Sequence, residues 1–234
     1  MALAASRHAN IFQYLCSRKT ISNHSTDMIK NLLFDLGGVI MDIEKNNCIE
    51  AFRRLGMRNP GQYFGDFSQQ GPFARLEAGE ISPDEFHRAL APSLPPDVTA
   101  DDIDRAFMRF LIGIPLRRLA DLRRLRARGY RLYMLSNTNP IMWDRKIKDD
   151  FTAEGLARED YFDGIVTSFA AKAMKPDRAI FDYACRSFGI NPAETLFIDD
   201  SQANLDAAAA LGFHTALAAP GTEFIDVLNP VLNR

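Results

Sequence analysis

The chain has 234 residues, of which 47% are hydrophobic, and carries a formal net charge of −2 with a sequence pI of about 6.1. This length and hydrophobic content allow a sizeable core, in one large domain or two small ones. The small charge excludes the strong basic field that holds nucleic acid, and no apolar run approaches the roughly 20 residues of a membrane-spanning helix, so we expect neither partner.

Residues 1–27 are interpreted as an N-terminal extension. The first 26 residues contain no acidic side chain and carry three Arg or Lys side chains, a composition shared with transit peptides. An upstream extension before an alternative start at Met28 is the interpretation we favour. The three cysteines are scattered and odd in number, which is typical of reduced thiols and predicts a cytoplasmic protein.

The first predicted strand is the apolar run 32–34, and Asp35 follows it directly, ahead of Leu36, Gly37 and Gly38. This pattern predicts a carboxylate at the C-terminal end of a buried strand, with a glycine turn beyond it. In open α/β sheets, functional groups collect at that end of the strands. A simple turn does not require two glycines, but a close approach of the backbone to another group does.

The stretch 44–114 contains no convincing strand and several helix signals. Ser82 to Glu85 places a helix cap, a first-turn proline and a capping-box acid in order, and Thr99 with Asp102 is a weaker second capping box. We therefore predict a helical insertion after the first strand.

Strands and helices alternate over the rest of the chain. Strands are predicted at 131–135, 165–168, 195–198 and 215–217, and helices at 116–128, 178–188 and 204–211. This alternation predicts an α/β fold with a Rossmann-like parallel sheet flanked by helices. The arginines of residues 116–128, Arg118 included, are interpreted as the solvent face of an amphipathic helix.

Polar groups follow or lie near three of these later strands. Ser136 follows one strand, Lys175 lies in a loop before Pro176, and Asp199 with Asp200 follows another strand. Taken singly, Ser136 could cap a helix through 139–145, Lys175 could be a surface lysine, and the acid pair could cap the next helix. Together with the carboxylate after the first strand, they are the groups that phosphoryl transfer needs.

These groups also carry a family resemblance. Taken in order, four motifs resemble those of the haloacid dehalogenase-like (HAD) hydrolase superfamily: Asp35-Leu-Gly-Gly-Val39, Ser136-Asn137-Thr138, Lys175-Pro176 and Asp199-Asp200-Ser201. Residues 71–82 and 135–139 are similar to the branch with a small helical cap, which includes bacterial sugar-phosphate phosphatases of the glucose 1-phosphate type. The resemblance implies an α/β core from residues 28–43 and 115–234, with a cap over residues 44–114.

The resemblance further implies a Mg²⁺-dependent phosphatase for a small phosphorylated metabolite, a sugar phosphate in the first instance. The implied catalytic residues are Asp35, which would form an aspartyl-phosphate, Ser136 and Lys175. The implied phosphate-binding residues are Leu36, Gly37, Ser136, Asn137 and Lys175. The implied metal ligands are Asp35, the carbonyl of Gly37, Asp199 and Asp200, of which Asp200 is the best second carboxylate. The sequence does not indicate an oligomeric state.

Gly37 departs from the usual phosphatase pattern, which has a second aspartate at this position as general acid and base. Losing such a group typically costs ~10² to 10⁴ in rate. Asp42, Glu44, a carboxylate of the cap or the substrate itself could replace it. Asp42 is our hypothesis, which Asp42→Asn would test on an alkyl phosphate. The alternative is a phosphometabolite-binding or scaffold protein with weakened catalysis. A haloacid dehalogenase is less favoured, because metal-free attack on carbon gains nothing from the acid pair.

Overall fold

The computed structural model describes residues 29–65 and 69–232, so the predicted N-terminal extension lies outside the described residues. The strands, in chain order, are β1 (Asn31–Phe34), β2 (Asp42–Ile43), β3 (Leu111–Gly113), β4 (Arg131–Ser136), β5 (Gly164–Thr167), β6 (Thr195–Asp199) and β7 (His214–Leu217). Five of them form a parallel sheet in the order β5-β4-β1-β6-β7. The predicted α/β fold with a parallel sheet is confirmed.

The helices connect these strands. They are α1 (Lys45–Arg54), α2 (Gly71–Glu77), α3 (Pro83–Leu90), α4 (Ala100–Met108), α5 (Leu116–Ala127), α6 (Pro140–Met142), α7 (Lys148–Phe151), α8 (Arg158–Tyr161), α9 (Ser168–Ala171), α10 (Arg178–Phe188), α11 (Gln202–Ala210) and α12 (Phe224–Leu232). A π-helical turn, Trp143–Ile147, joins α6 to α7. No helix within 29–65 or 69–232 has both the length and the apolar character that crossing a membrane requires.

The sheet is the centre of the core because its middle strand is covered on both faces. All four residues of β1 are buried, with Leu32 and Phe34 in one apolar cluster and Leu33 in the other. This burial is typical of a parallel sheet, whose crossover helices cover both faces. The sheet therefore holds the end of β1, and Asp35 after it, deep within the molecule.

Residues 44–114, which follow β2, are mainly helical, as the sequence predicted. Both predicted capping boxes form, at Ser82 with Glu85 and at Thr99 with Asp102. The prediction of no strand in 44–114 is wrong, because β3 pairs antiparallel with β2, Asp42 opposite Gly113. A three-residue strand has no detectable periodicity, and its partner is distant in sequence.

Residues 44–114 have their own aromatic packing. Phe73 makes edge-to-face contacts with Phe52, Phe86 and Phe107 at ring-centroid distances of 5.3, 5.0 and 4.9 Å. All four rings are fully buried. Such pairs contribute about 0.5–1.5 kcal/mol each beyond the burial of their area. The helices α1 to α4 therefore pack as a unit.

The end of α2 is attached to the sheet region by close contacts. The Ser168 hydroxyl donates a hydrogen bond to the Glu77 carbonyl at 2.6 Å. Gly79 has a φ of +65°, and a Cβ there would lie 2.2 Å from the Phe169 carbonyl oxygen. Only glycine permits this approach, so the turn after α2 lies directly against α9 at the end of β5.

Candidate active site

Charged groups that are remote in sequence meet at the C-terminal ends of the central strands. Asp35 follows β1 and Asp199 ends β6, which lies beside β1. The Lys175 Nζ atom lies between them, 2.8 Å from Asp35 Oδ1 and 2.7 Å from Asp199 Oδ2. Lys175 is only 4% exposed, so its interpretation as a surface lysine is wrong.

The electrostatic balance of this cluster is negative. Burial raises the pKa of Asp35 to about 8, which Lys175 opposes and which Asp199 and Asp200 reinforce. Burial works to lower the pKa of Lys175, but Asp199 and Asp35 outweigh it and raise that pKa. Burial, with Asp199, also raises the pKa of Asp200 to about 6. One ammonium therefore does not balance three carboxylates, and an ionised Asp35 needs more positive charge nearby.

A divalent cation fits this need. Asp35, Asp199 and Asp200 each offer one carboxylate oxygen, and these atoms all lie within 4.8 Å of one another. Hard cations such as Mg²⁺ prefer oxygen ligands of this kind. The set is therefore suited to Mg²⁺ in charge and in donor type.

The two acids of the pair have different surroundings. Asp199 is fully buried, and its Oδ1 accepts hydrogen bonds from the Ser201 amide at 2.8 Å and from Asn204 Nδ2 at 2.9 Å, while its Oδ2 accepts from Lys175. Asp199 thus binds both the start of α11 and the lysine, but it does not cap that helix, whose N-cap residue is Ser201. The Asp200 side chain instead borders the cavity described below.

Of the two glycines after β1, Gly38 makes the close approach that the sequence indicated, whereas a Cβ at Gly37 would meet only the Ile43 side chain at 3.6 Å. Gly38 has a φ of +77°, and a Cβ there would lie 2.1 Å from Asp200 Oδ2. That separation is far below any real contact of a Cβ atom. The turn after β1 therefore lies directly against the Asp200 carboxylate.

Because of this contact, we expect Gly38→Ala to weaken Mg²⁺ binding about 10- to 100-fold, the usual effect of disturbing the surroundings of a ligand. Isothermal titration with Mg²⁺ measures the change. Gly155→Ala is the matched control, since Gly155 has a φ of +78° but nothing within 4 Å of its Cβ position. Equal Mg²⁺ affinities for the two variants would show that the clash with Asp200 does not matter.

The residues after β4 hold the lysine loop. Asn137 brackets the Lys175 backbone, because its Oδ1 accepts from the Lys175 amide and its Nδ2 donates to the Lys175 carbonyl, both at 2.9 Å. Ser136 is 1% exposed, and its hydroxyl donates to the Asn137 carbonyl at 3.4 Å. Ser136 does not cap the next helix, as Asn139 does so by accepting from the Met142 amide.

A cavity of about 560 Å³ opens over the cluster. Among the residues predicted for the site, Asp35, Gly37, Asn137, Lys175 and Asp200 line it. The others, Leu36, Ser136 and Asp199, are buried and are not among its lining residues. Residues 44–114 supply much of the remaining wall, including Glu44, Gln69, Glu77, Phe110 and Ile112.

Sequence analysis overlooked two polar residues of this wall, Gln69 and Glu77. Glu77 ends α2 and is buried, and Gln69 lies just before that helix. The sequence did contain one signal for Glu77. This acidic residue directly follows the mostly apolar helical turn Phe73 to Leu76, so its side chain had to be buried or to mark the end of the helix. Gln70 and Arg75 from the same stretch are not among the lining residues.

The interpretation of α5 as a helix with all its arginines in solvent is wrong for Arg118. It is 4% exposed, and it binds Asp42 Oδ1 through Nη1 at 2.7 Å and Glu223 Oε2 through Nε at 2.9 Å. It also donates to the Ile40 carbonyl at 3.2 Å. Arg118 therefore ties β2 to the start of α12 and borders the cavity.

Comparison with known proteins gives a consistent result. The family model for haloacid dehalogenase-like hydrolases matches residues 29–212. The chain is 34% identical over 206 residues to D-ribitol-5-phosphate phosphatase of Bacteroides thetaiotaomicron, a match that covers 88% of this chain and 100% of that protein. The resemblance drawn from the four motifs is thereby confirmed.

Solved structures agree with the fold. A HAD-family enzyme from Bacteroides thetaiotaomicron, an aspartate-to-alanine variant in complex with magnesium and inorganic phosphate, has a TM-score of 0.81 at 36% identity and covers 86% of this chain and 98% of its own. A predicted HAD-like hydrolase from Porphyromonas gingivalis has a TM-score of 0.81 at 32% identity, with coverages of 88% and 99%.

Proposed function

The chain belongs to the haloacid dehalogenase-like hydrolase family, and we propose that it hydrolyses a small phosphorylated metabolite, a sugar or polyol phosphate, with Asp35 as the nucleophile. It is a phosphoric monoester hydrolase with Mg²⁺ as its cofactor. The observation that carries the proposal is the contact between the Asp35 carboxylate and the Lys175 ammonium in a cavity that Asp200 also lines. The substrate class is supported by the relative that is a D-ribitol-5-phosphate phosphatase.

The reaction begins with a carboxylate oxygen of Asp35, which attacks phosphorus in line with the leaving alcohol. The new bond joins this oxygen to phosphorus as the bond to the alcohol oxygen breaks, and water then hydrolyses the aspartyl-phosphate. Lys175 holds Asp35 in place at 2.8 Å and offsets negative charge on the phosphoryl oxygens. Asn137 acts through Lys175, whose backbone it holds on both sides.

Asp35, Asp200 and the Gly37 carbonyl are the residues that we propose would hold Mg²⁺, with Asp199 as a further ligand or as the anchor of Lys175. When bound, Mg²⁺ supplies the positive charge that lets a carboxylate approach a phosphate dianion. Leu36, Gly37 and Ser136 border the same turn and strand end, where backbone amides are suited to hold phosphoryl oxygens.

Residues 44–114 form the proposed cap over a core made of residues 28–43 and 115–234. The proposal is supported by the aromatic packing of this segment and by its share of the cavity wall. A cap closes a site to water and to macromolecules, which suits a small substrate. With a net charge of −2 and no basic field, nucleic acid is not a proposed partner, and the cytoplasm is the proposed location.

Gly37 supplies no side chain for proton transfer. The alternative therefore remains a phosphometabolite-binding or scaffold protein with weakened catalysis. Asp42 lines the cavity, but its ion pair with Arg118 also gives it a structural task in joining β2 to α5. Dehalogenation remains less favoured, because the cluster of three carboxylates suits a cation and metal-free attack on carbon has no use for it.

We expect the purified protein to hydrolyse p-nitrophenyl phosphate with Mg²⁺ and to lose this activity in EDTA. This leaving group hardly needs a general acid, so the assay tests the nucleophile and the metal in spite of Gly37. Release of p-nitrophenolate is followed by absorbance, and adding Mg²⁺ back after EDTA is the control. If folded protein releases nothing but binds Mg²⁺ and phosphate, the scaffold alternative replaces the phosphatase.

A further inference from the structure

We propose that Gln69 and Glu77 form a hydroxyl-binding subsite in the catalytic cavity, which takes the alcohol part of a phosphorylated polyol or sugar. The inference rests on the proposed function, because it assigns the residues that recognise the leaving group of that reaction. Both side chains belong to residues 44–114, and both line the cavity that also contains Asp35 and Lys175.

Gln69 presents an acceptor that lacks a donor. Its Oε1 atom is buried and has no hydrogen-bond partner within the described part of the chain. Buried polar groups in native proteins are almost always paired, and an unpaired one needs an explanation. Because Gln69 lines the cavity, a rotation of its side chain would turn this atom to a hydroxyl of a bound ligand, a donor that the described residues do not supply.

Glu77 presents a carboxyl group without a cationic partner. It is 7% exposed, and no lysine or arginine in 29–65 or 69–232 forms a salt bridge with it. Burial raises the pKa of Glu77 to about 8, and the hydrogen bond from the Gln69 side chain only partly opposes this. At neutral pH the group is therefore mainly protonated, so it both donates and accepts a hydrogen bond.

The position of this pair is fixed relative to the reacting groups. The Glu77 carbonyl accepts a hydrogen bond from Ser168 at the end of β5, and Gly79 lies against Phe169. The cavity of about 560 Å³ lies within the usual range for small-molecule sites, roughly 300–1,000 Å³. A phosphate at Asp35 thus leaves room for a short alcohol chain to reach the wall that carries Gln69 and Glu77.

The pair also selects a chemical class. A neutral amide and a protonated carboxyl offer hydrogen bonds but no charge of their own. Their hydrogen bonds compensate for the desolvation of a buried hydroxyl. A buried ammonium or carboxylate requires an opposite charge instead. The subsite therefore favours neutral, hydroxylated leaving groups over simple alkyl groups and over charged ones.

The test compares ribitol 5-phosphate with pentyl phosphate, which has the same number of carbons and no free hydroxyl. We expect the wild-type kcat/KM to be at least about 10² higher for the polyol phosphate, because unpaired polar groups reject the alkyl chain. Gln69→Leu and Glu77→Leu should each lower kcat/KM for the polyol phosphate about 10- to 100-fold. Both should raise kcat/KM for pentyl phosphate, because they remove the polar groups that reject its alkyl chain.

Two further variants sharpen the test. Glu77→Gln keeps a neutral group that donates and accepts, so it should retain most activity on ribitol 5-phosphate. Gln70→Leu makes the same change as Gln69→Leu at the next residue, whose side chain is exposed, and should have no effect on either substrate. Equal wild-type kcat/KM for the two esters, or variants that lower both alike, would overturn the subsite while the phosphatase stands. Failure of the wild type to hydrolyse any ester would overturn the proposed function and the subsite with it.

Discussion

Asp35→Asn is expected to lower kcat for p-nitrophenyl phosphate by about 10⁴-fold or more, as removal of a covalent nucleophile generally does. The amide oxygen of asparagine is a poor nucleophile and carries no charge. The variant should still fold, because this oxygen can accept hydrogen bonds from Lys175 and from the Leu36 amide as the carboxylate does. Initial rates at saturating Mg²⁺, with thermal unfolding as the check of folding, measure the effect.

Asp206→Asn is the control for Asp35→Asn, since it makes the same change on the exposed side of α11. Mass spectrometry of acid-quenched wild-type protein provides a second readout, in which the phosphoryl group should lie on the peptide that contains Asp35. An Asp35→Asn variant with activity within tenfold of the wild type would remove Asp35 as the nucleophile. A phosphoryl group on another residue would do the same.

Lys175→Met should lower the free energy of unfolding by about 3–5 kcal/mol, the usual cost of breaking a buried ion pair on one side. The Nζ atom lies within 2.8 Å of carboxylate oxygens of Asp35 and Asp199, and methionine leaves both of them without a cation. Urea denaturation followed by circular dichroism, without Mg²⁺, measures the change. The variant should also lose phosphatase activity, because the charge that offsets the phosphoryl oxygens is gone.

Lys30→Met is the matched control for Lys175→Met. Lys30 Nζ lies 2.7 Å from Glu194 Oε1, but the lysine side chain is 64% exposed. Exposed pairs of this kind contribute about 0–1 kcal/mol, so this variant should unfold nearly like the wild type. If the two variants lost similar stability, burial of the Lys175 pairs would not be what makes them important.

Much of the fold follows from local sequence patterns. The predicted strands agree with the observed ones to within one residue at each end, because an apolar run between turn residues has few alternatives to a buried strand. The prediction for α10 matches both of its ends, Arg178 and Phe188. The capping boxes at Ser82 and Thr99 also form, since their hydrogen bonds span only three residues.

The candidate site divides along the same line. The sequence by itself determined that Asp35 and Asp199 stand at the ends of strands, because strand order along the chain and the parallel sheet bring such ends to one edge. Whether a side chain after such an end faces the cavity depends on packing, which placed Asp200 in the wall and Asp199 behind it. The close contact between Gly38 and Asp200 likewise joins segments that are far apart in sequence.

Only the tertiary structure distinguished Arg118 from the other arginines of α5, because its partners Asp42 and Glu223 come from opposite ends of the chain. The same holds for Gln69, which no motif marks, and for Glu77, which lies in the cap-like stretch 71–82 but received no role from that resemblance. A local pattern reports the face of a helix or the end of a strand, since backbone hydrogen bonds and periodic burial act over a few residues. The surroundings of a buried polar group are made by remote segments, so its partners, its protonation and its place in a cavity are decided only when the chain is folded.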